Sequence, residues 1–400
     1  MREGPLGGYL VDLAKQLQAQ GYARSSIRRK LQLAADFSQW LKRNHIEASQ
    51  LTPQHARGFL LSRSRAGYRP HHGDRVAVAQ VLKLLRERNV TAEHSLQPTS
   101  TPSGRLLEEY DLYLQKERSL SLSTRICYRP FVRQFLVDQF GSGRIEFAAL
   151  RAVDILTFVQ RHAGQLRGKR VHLMTAALRS FLRFVRYRGQ IILDLAASVP
   201  SVASWSLSTL PKSLPPAQVQ QVLARCNQET AIGKRDYAIL LLLARLGLRS
   251  GEVARLTLEN LDWEGGCITV HGKMGRVDQL PLPADVGAAI VAYLKEGRPH
   301  GSDTRRLFLR SKAPLHGFEH QKAVGAVVKR TLEKTGIASP RKGAHQFRHT
   351  LASELLRQGR SLSEIGQILR HRSPEATAIY AKVDLPSLRC LALPWPGGKR

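Results

Sequence analysis

Apolar residues return at three- and four-residue intervals through most of this 400-residue chain, the spacing that lines up one face of an α-helix. Between residues 1 and 95, and again between 105 and 198, the pattern predicts several amphipathic helices. Beyond residue 212 it predicts helices over Pro216–Cys226, Arg235–Leu246, Ala284–Lys295, Glu319–Lys334, His345–Arg357 and Leu362–Leu369. The character changes from Thr257 to Pro283. There Cys267-Ile268-Thr269-Val270 and Gln279-Leu280-Pro281-Leu282 flank His271-Gly272-Lys273-Met274-Gly275-Arg276, which reads as strand, turn, strand. The predicted fold class is mainly α: helical domains ahead of a mostly helical domain with a small antiparallel β-sheet.

Two polar, proline-containing breaks divide the chain, one at Ser95–Gly104 and one from Val199 to Pro216, both with linker composition. They separate a region 1–95, a region 105–198, a region 212–385 and a tail 386–400. The first two regions read as repeats. Ala23-Arg24-Ser25-Ser26 and Ser121-Leu122-Ser123-Thr124 each precede a helical pattern, and Phe37, Leu51 and Phe59 align with Phe135, Leu150 and Phe158. Val81–Arg86 aligns with Phe181–Arg186 in the same way, at an offset of about 100 residues.

Charge narrows the function classes. Lys and Arg number 62 against 31 Asp and Glu, a net charge of +31. Such an excess repels itself unless a polyanion meets it, and nucleic acid is the first candidate. An anionic membrane surface fits less well, because the chain has no run of about 18 apolar residues and no signal-peptide pattern. Hydrophobic residues, at 42%, suffice for real cores. Cys127, Cys226, Cys267 and Cys390 stand far apart with no CxxC pair, which argues against zinc and disulfides and for a reducing, cytoplasmic setting. No GxxxxGK[ST] loop is present.

Six residues of the third region fit phosphoryl transfer: Arg249, Lys273, His345, Arg348, His371 and Tyr380. His345 and Arg348 are three apart and share a helix face. A guanidinium offers a fork of donors that suits phosphate oxygens. Lys273, in a turn bounded by Gly272 and Gly275, can approach a backbone closely. A tyrosine hydroxyl titrates near ~10, and clustered cations favour its phenolate. Each signal alone is weak: His-x-x-Arg recurs by chance, a lysine in a glycine turn is commonly a solvated hairpin tip, and a lone tyrosine commonly packs.

Together and in this order they resemble the catalytic domain of the tyrosine recombinases, the phage integrase family. The resemblance rests on Gly247-Leu248-Arg249-Ser250-Gly251-Glu252, on Gly272-Lys273-Met274-Gly275 followed by Leu280-Pro281-Leu282, on His345-Gln346-Phe347-Arg348-His349-Thr350, and on Leu369-Arg370-His371-Arg372-Ser373 with Thr377-Ala378-Ile379-Tyr380, where His371 stands nine positions before Tyr380. It covers 212–385, and more weakly 105–198 as a core-binding DNA-binding domain, with 1–95 an additional domain related to it. Arg370 departs from the family pattern, which often has glycine there, so the turn entering His371 is expected to differ. His349 is expected to be structural.

The resemblance implies the integrase catalytic fold and a site-specific recombinase of a mobile element. In that reading Tyr380 attacks the scissile phosphate, giving a 3′-phosphotyrosyl link, and a second strand's 5′-hydroxyl releases it. Arg249 and Arg348 stabilise the pentavalent transition state, and Lys273 protonates the leaving 5′-oxygen. His345 manages the tyrosine proton, His371 donates to the phosphate, and Glu252 orients the cations. No nucleotide cofactor and no metal is implied. The implied partners are double-stranded DNA and further copies of the chain, as a tetramer on DNA, with or without sister recombinases. Grip on DNA is expected from Arg24, Arg28, Arg29 and Lys30 and from Arg161, Arg167, Lys169, Arg170, Arg179 and Arg183. The tail after Tyr380, with Leu385, Leu388, Leu391, Leu393 and Trp395, suits docking on a neighbour or on its own domain. Two alternatives are a tyrosine-type topoisomerase, which rejoins the same ends, and a non-catalytic DNA-binding accessory protein.

Overall fold

The fold comes from a computed structural model that describes residues 3–68, 72–91, 101–141, 143–202, 211, 213–272, 275–300, 304–337, 339 and 343–383. Most of the expected linker at 95–104, part of that at 199–216, Lys273 and the tail 384–400 lie outside the described residues. The chain divides into two compact units, Met1–Leu85 with Ser206–Arg400, and Arg86–Trp205.

The N-terminal segment folds as α1 (Leu10–Ala19), α2 (Arg24–Arg43), a 3-10 turn (Ala48–Gln50), α3 (Pro53–Arg65) and α4 (His72–Glu87). The second unit follows the same order: α5 (Pro102–Lys116), α6 (Leu122–Phe140), a 3-10 turn (Phe147–Ala149), α7 (Ala152–Ala163) and α8 (Gly168–Tyr187). Thr52, Thr101 and Ser121 cap helices by accepting from backbone N–H groups of His55, Gly104 and Thr124, satisfying donors that the first helical turn leaves open. The aromatic centres also correspond. Phe37 meets Phe59 at 4.7 Å, and Phe135 meets Phe158 at 5.1 Å. The last helix of each set buries an equivalent row, Val81, Leu82 and Leu85 in one and Phe181, Leu182 and Val185 in the other.

The C-terminal segment begins with α9 (Pro216–Ala224) and α10 (Ala231–Arg245). Ile239 through Leu243 are at most 1% exposed, and a helix apolar on all sides belongs at a core centre. Around it pack α12 (Ala284–Glu296), α13 (Gln321–Lys334) and α14 (His345–Arg357). Between α10 and α12 lie the short α11 (Ser250–Arg255) and an antiparallel sheet of β1 (Leu261–Asp262), β2 (Cys267–His271) and β3 (Val277–Pro281), in that order. Ile268 and Val270 point into the core. The chain ends in α15 (Leu362–Ile368), α16 (Glu375–Ala378) and a 3-10 turn, Ile379–Val383. Thr350 on α14 holds the entry to this region, accepting from the Leu214 N–H at 2.8 Å and donating to the Leu214 carbonyl at 3.0 Å. Among the described residues no helix is long and apolar enough to cross a membrane.

Candidate active site

The site is organised around the turn that ends α15. The Arg370 N–H bonds the Gln367 carbonyl and the His371 N–H bonds the Gly366 carbonyl, both at 2.9 Å. This is the Schellman arrangement, in which the residue after the cap takes a left-handed conformation. That residue is Arg370, at φ +54°. The turn delivers His371, and its two carbonyls serve as anchors: the Leu369 carbonyl accepts from Arg348 Nη2, and the Arg370 carbonyl accepts from Arg249 Nη2 at 3.4 Å.

Arg348 is 4% exposed and also donates through Nη1 to the Gly247 carbonyl at 2.6 Å. Gly247 has φ +55°, and a Cβ there would meet Leu369 Cδ2 at 2.9 Å and Leu351 Cδ2 at 3.0 Å. A side chain is therefore excluded where Arg348 and the turn close together. Burial, then Arg249 and Arg370, pull the Arg348 pKa down to about 10, so it stays charged at neutral pH. Arg249 stands at the start of α11. Glu252, one turn on, accepts from the Arg249 N–H and from its guanidinium, both at 2.8 Å. Burial pushes the Glu252 carboxyl up, but the two Arg249 hydrogen bonds and the charges of Arg370 and Arg249 outweigh it and hold it below the usual range.

Tyr380 sits on the Ile379–Val383 turn with its ring packed among Ala352, Ile365 and Leu369 and is 1% exposed. Its hydroxyl is 2.9 Å from His349 Nδ1, and its ring lies nearly parallel to that of His371, with centroids 6.5 Å apart. Burial pushes the Tyr380 hydroxyl up to about 12, against the opposing pull of Arg348. His371 bonds Thr377 Oγ1 through Nδ1 at 2.6 Å. Burial, then Arg348 and Arg249, hold its pKa down at about 4, so it is neutral at physiological pH.

Of the six expected residues, Arg249, Arg348, His371 and Tyr380 come together. His345 opens α14 at an exposed position, its ring 6.3 Å from that of His349. Lys273 lies outside the described residues, although the hairpin base is closed by the Gly272 N–H bonding the Arg276 carbonyl at 2.7 Å. Two further residues sit in the site. His349, expected to be structural, contacts the tyrosine hydroxyl; its signal was the four-residue step from His345, which puts both on one helix face. Arg370, noted only as a departure, sends its guanidinium to Glu252 Oε2 at 3.0 Å. Glu252 lies between two arginines, accepting from Arg249 at 2.8 Å and from Arg370 at 3.0 Å. Among the described residues, no group of His, Cys, Asp or Glu is placed to hold a metal.

Comparison with known proteins places the chain in a family. Residues 212–385 match the phage integrase family, and residues 107–189 match the phage integrase N-terminal SAM-like domain. The y4rA protein of Sinorhizobium fredii, named as an integrase/recombinase, is 49% identical over 397 residues, spanning 99% of this chain and 96% of the relative. Tyrosine recombinase XerA of Thermococcus onnurineus is 30% identical over 285 residues, 71% of this chain and 93% of that protein. The fold is similar to that of the XerH site-specific recombinase bound to a palindromic difH substrate, with a TM-score of 0.56, 18% identity and coverage of 71% of this chain and 83% of that one. It is also similar to a lambda integrase dimer bound to a core site, with a TM-score of 0.53, 15% identity and coverage of 69% and 94%. The chain belongs to the phage integrase family of tyrosine recombinases. It is a site-specific DNA recombinase, and these matches favour that class over the topoisomerase and accessory-protein alternatives.

Proposed function

We propose that Tyr380 cuts and rejoins DNA of a mobile element through a 3′-phosphotyrosyl intermediate. One observation carries this reading: buried Tyr380 lies within the field of Arg348, whose guanidinium is anchored, like that of Arg249, on the carbonyls of the turn entering His371. The Tyr380 Oη–phosphorus bond forms as the phosphorus–O5′ bond breaks. The tyrosine proton passes to the histidine pair, His349 in contact with the hydroxyl and His345 beside it. A proton from Lys273 goes to the leaving 5′-oxygen. Arg249 and Arg348 stabilise the charge that builds on the non-bridging oxygens, and neutral His371 donates to one of them. A 5′-hydroxyl from another strand then reverses the step. One phosphodiester replaces another, so the exchange needs no nucleotide energy.

The partner in this reading is double-stranded DNA, held by copies of the chain assembled as a tetramer in the cytoplasm. Residues 105–198 act as the core-binding domain. The shared order of elements and the paired phenylalanines support residues 1–95 as a duplicate of it, and the 212–385 region is the catalytic domain. The groove lined by Arg24, Arg28, Arg29 and Arg63 gives the first copy a cationic face for phosphates, which confers affinity and salt dependence more than sequence choice. The test is a nicked suicide duplex built from DNA flanking the gene. The wild type should form a covalent adduct that the Tyr380→Phe variant does not; an undiminished adduct in the variant would reject Tyr380 as the nucleophile.

A further inference from the structure

Arg370 occupies the one turn position in the site where a side chain is least expected. Its φ of +54° lies in the left-handed region, where glycine is the ordinary choice. The side chain does not escape to solvent: the residue is 4% exposed. Its Nη2 bonds Glu252 Oε2 at 3.0 Å, and its Nε lies 3.9 Å from Asp278 Oδ2. Nε and Nη1 are enclosed with no hydrogen-bond partner among the described residues. A turn needing only its backbone shape would gain from glycine. A buried, partly bonded guanidinium on a strained backbone suggests a role at the site rather than in the turn.

The charges around it suggest which role. Glu252 would by itself cancel Arg249, with which it shares two hydrogen bonds. Arg370 takes part of that carboxylate. Asp278 is paired with Arg276 at 2.8 Å, so those two together add no net charge. Arg249, Arg348 and Arg370 thus stand against Glu252, leaving the cluster two positive charges in excess. A phosphodiester carries one negative charge, and its pentavalent transition state carries two. The field of Arg370 reaches the reacting groups, since it helps depress the pKa of both Arg348 and His371.

We propose that Arg370 is a positioning residue for strand cleavage: it shares the Glu252 carboxylate with Arg249, so that the site keeps a second uncompensated positive charge for the negative charge that appears only in the transition state. It acts through Glu252 and the field, without touching DNA. Arg370 would then affect the rate of cleavage at saturating DNA and leave DNA affinity nearly unchanged.

This rests on the phosphotyrosyl reading, and the test separates the two. Single-turnover adduct formation is measured on the nicked suicide duplex with wild type, Arg370→Gly and Arg370→Lys. A second duplex carries a methylphosphonate at the scissile position, where the charge starts at zero and reaches only minus one. Arg370→Gly should be slower by ~10–100-fold on the phosphodiester, somewhat less than the loss of a direct donor. DNA affinity should stay within about twofold, and Arg370→Lys should recover most of the rate because it keeps the charge. On the methylphosphonate the deficit of Arg370→Gly should shrink to within about threefold. Equal deficits on both substrates, a loss confined to binding, or no loss in either variant would overturn the proposal. Should Arg370→Gly fail to fold, Arg370→Lys is compared with an uncharged Arg370→Met: near-wild-type cleavage in Arg370→Lys with a ~10–100-fold loss in Arg370→Met supports the proposal, and equal rates in the two variants overturn it. No adduct with the wild type would instead overturn the phosphotyrosyl reading itself.

Discussion

Arg348→Ala separates the structural work of a buried guanidinium from its work on phosphate. The side chain is 4% exposed and donates to the Gly247 carbonyl at 2.6 Å and to the Leu369 carbonyl. Charged hydrogen bonds of this kind contribute about 1.5–3 kcal/mol each, so removing both costs ~3–6 kcal/mol before any relief. The relief is substantial. Burial and the neighbouring Arg249 and Arg370 pull the Arg348 pKa well below the ordinary guanidinium range, to about 10, which means that keeping it charged costs about 3 kcal/mol. The net loss of stability is then ~2 kcal/mol, a fall in Tm of about 4–8 °C for a domain of this size. Cleavage should fall much further, by ~100–1,000-fold, because a preorganised donor to the transition state is lost. Arg348→Lys keeps the charge but not the fork, so it should lose cleavage while holding most of the Tm. Thermal unfolding and single-turnover adduct formation on the same preparations give both quantities. If Arg348→Ala cleaved within about threefold of wild type while its Tm fell as expected, Arg348 would be a turn clamp only, and its assignment to the phosphate would be wrong.

Three other outcomes follow from the geometry. Gly247→Ala should lower stability by about 1–3 kcal/mol, because it combines a left-handed backbone with a close approach to Leu369 and Leu351; an unchanged Tm would contradict that packing. Thr350→Val, which strips both hydrogen bonds from the Leu214 backbone, should cost about 2–4 kcal/mol in urea unfolding, and a loss under half a kcal/mol would show that water replaces the hydroxyl. His371 has its pKa depressed from 6.5 to about 4, so the unfolded chain binds its proton first as pH falls. Its contribution to stability is complete above pH 6.5 and is lost as pH drops toward 4. The unfolding midpoint should therefore fall more steeply between pH 7 and 5 in wild type than in His371→Asn; parallel curves would refute the assignment.

What the sequence revealed and what it hid have separate physical causes. Helices α9, α10 and α12 to α15 were legible because each runs long enough for its apolar positions to repeat, and the hairpin because its glycines punctuate two β-rich runs. Helix α11 has six residues and β1 has two, too few to show a period. The four converging residues were legible from their order. The importance of His349 was not, because its contact with Tyr380 depends on how the Ile379–Val383 turn docks on α14, a tertiary matter with no local signature. Arg370 was visible as an oddity, but its left-handed φ and inward guanidinium arise from the Schellman turn and from a carboxylate more than a hundred residues earlier.

The chain contains ten tyrosines, so the most direct measurement is peptide mapping by mass spectrometry of the trapped, nuclease-trimmed protein–DNA conjugate. The nucleotide remnant should be found on the peptide containing Tyr380, joined through a 3′-phosphate. A remnant on any other residue, or one joined through a 5′-phosphate, would contradict the account.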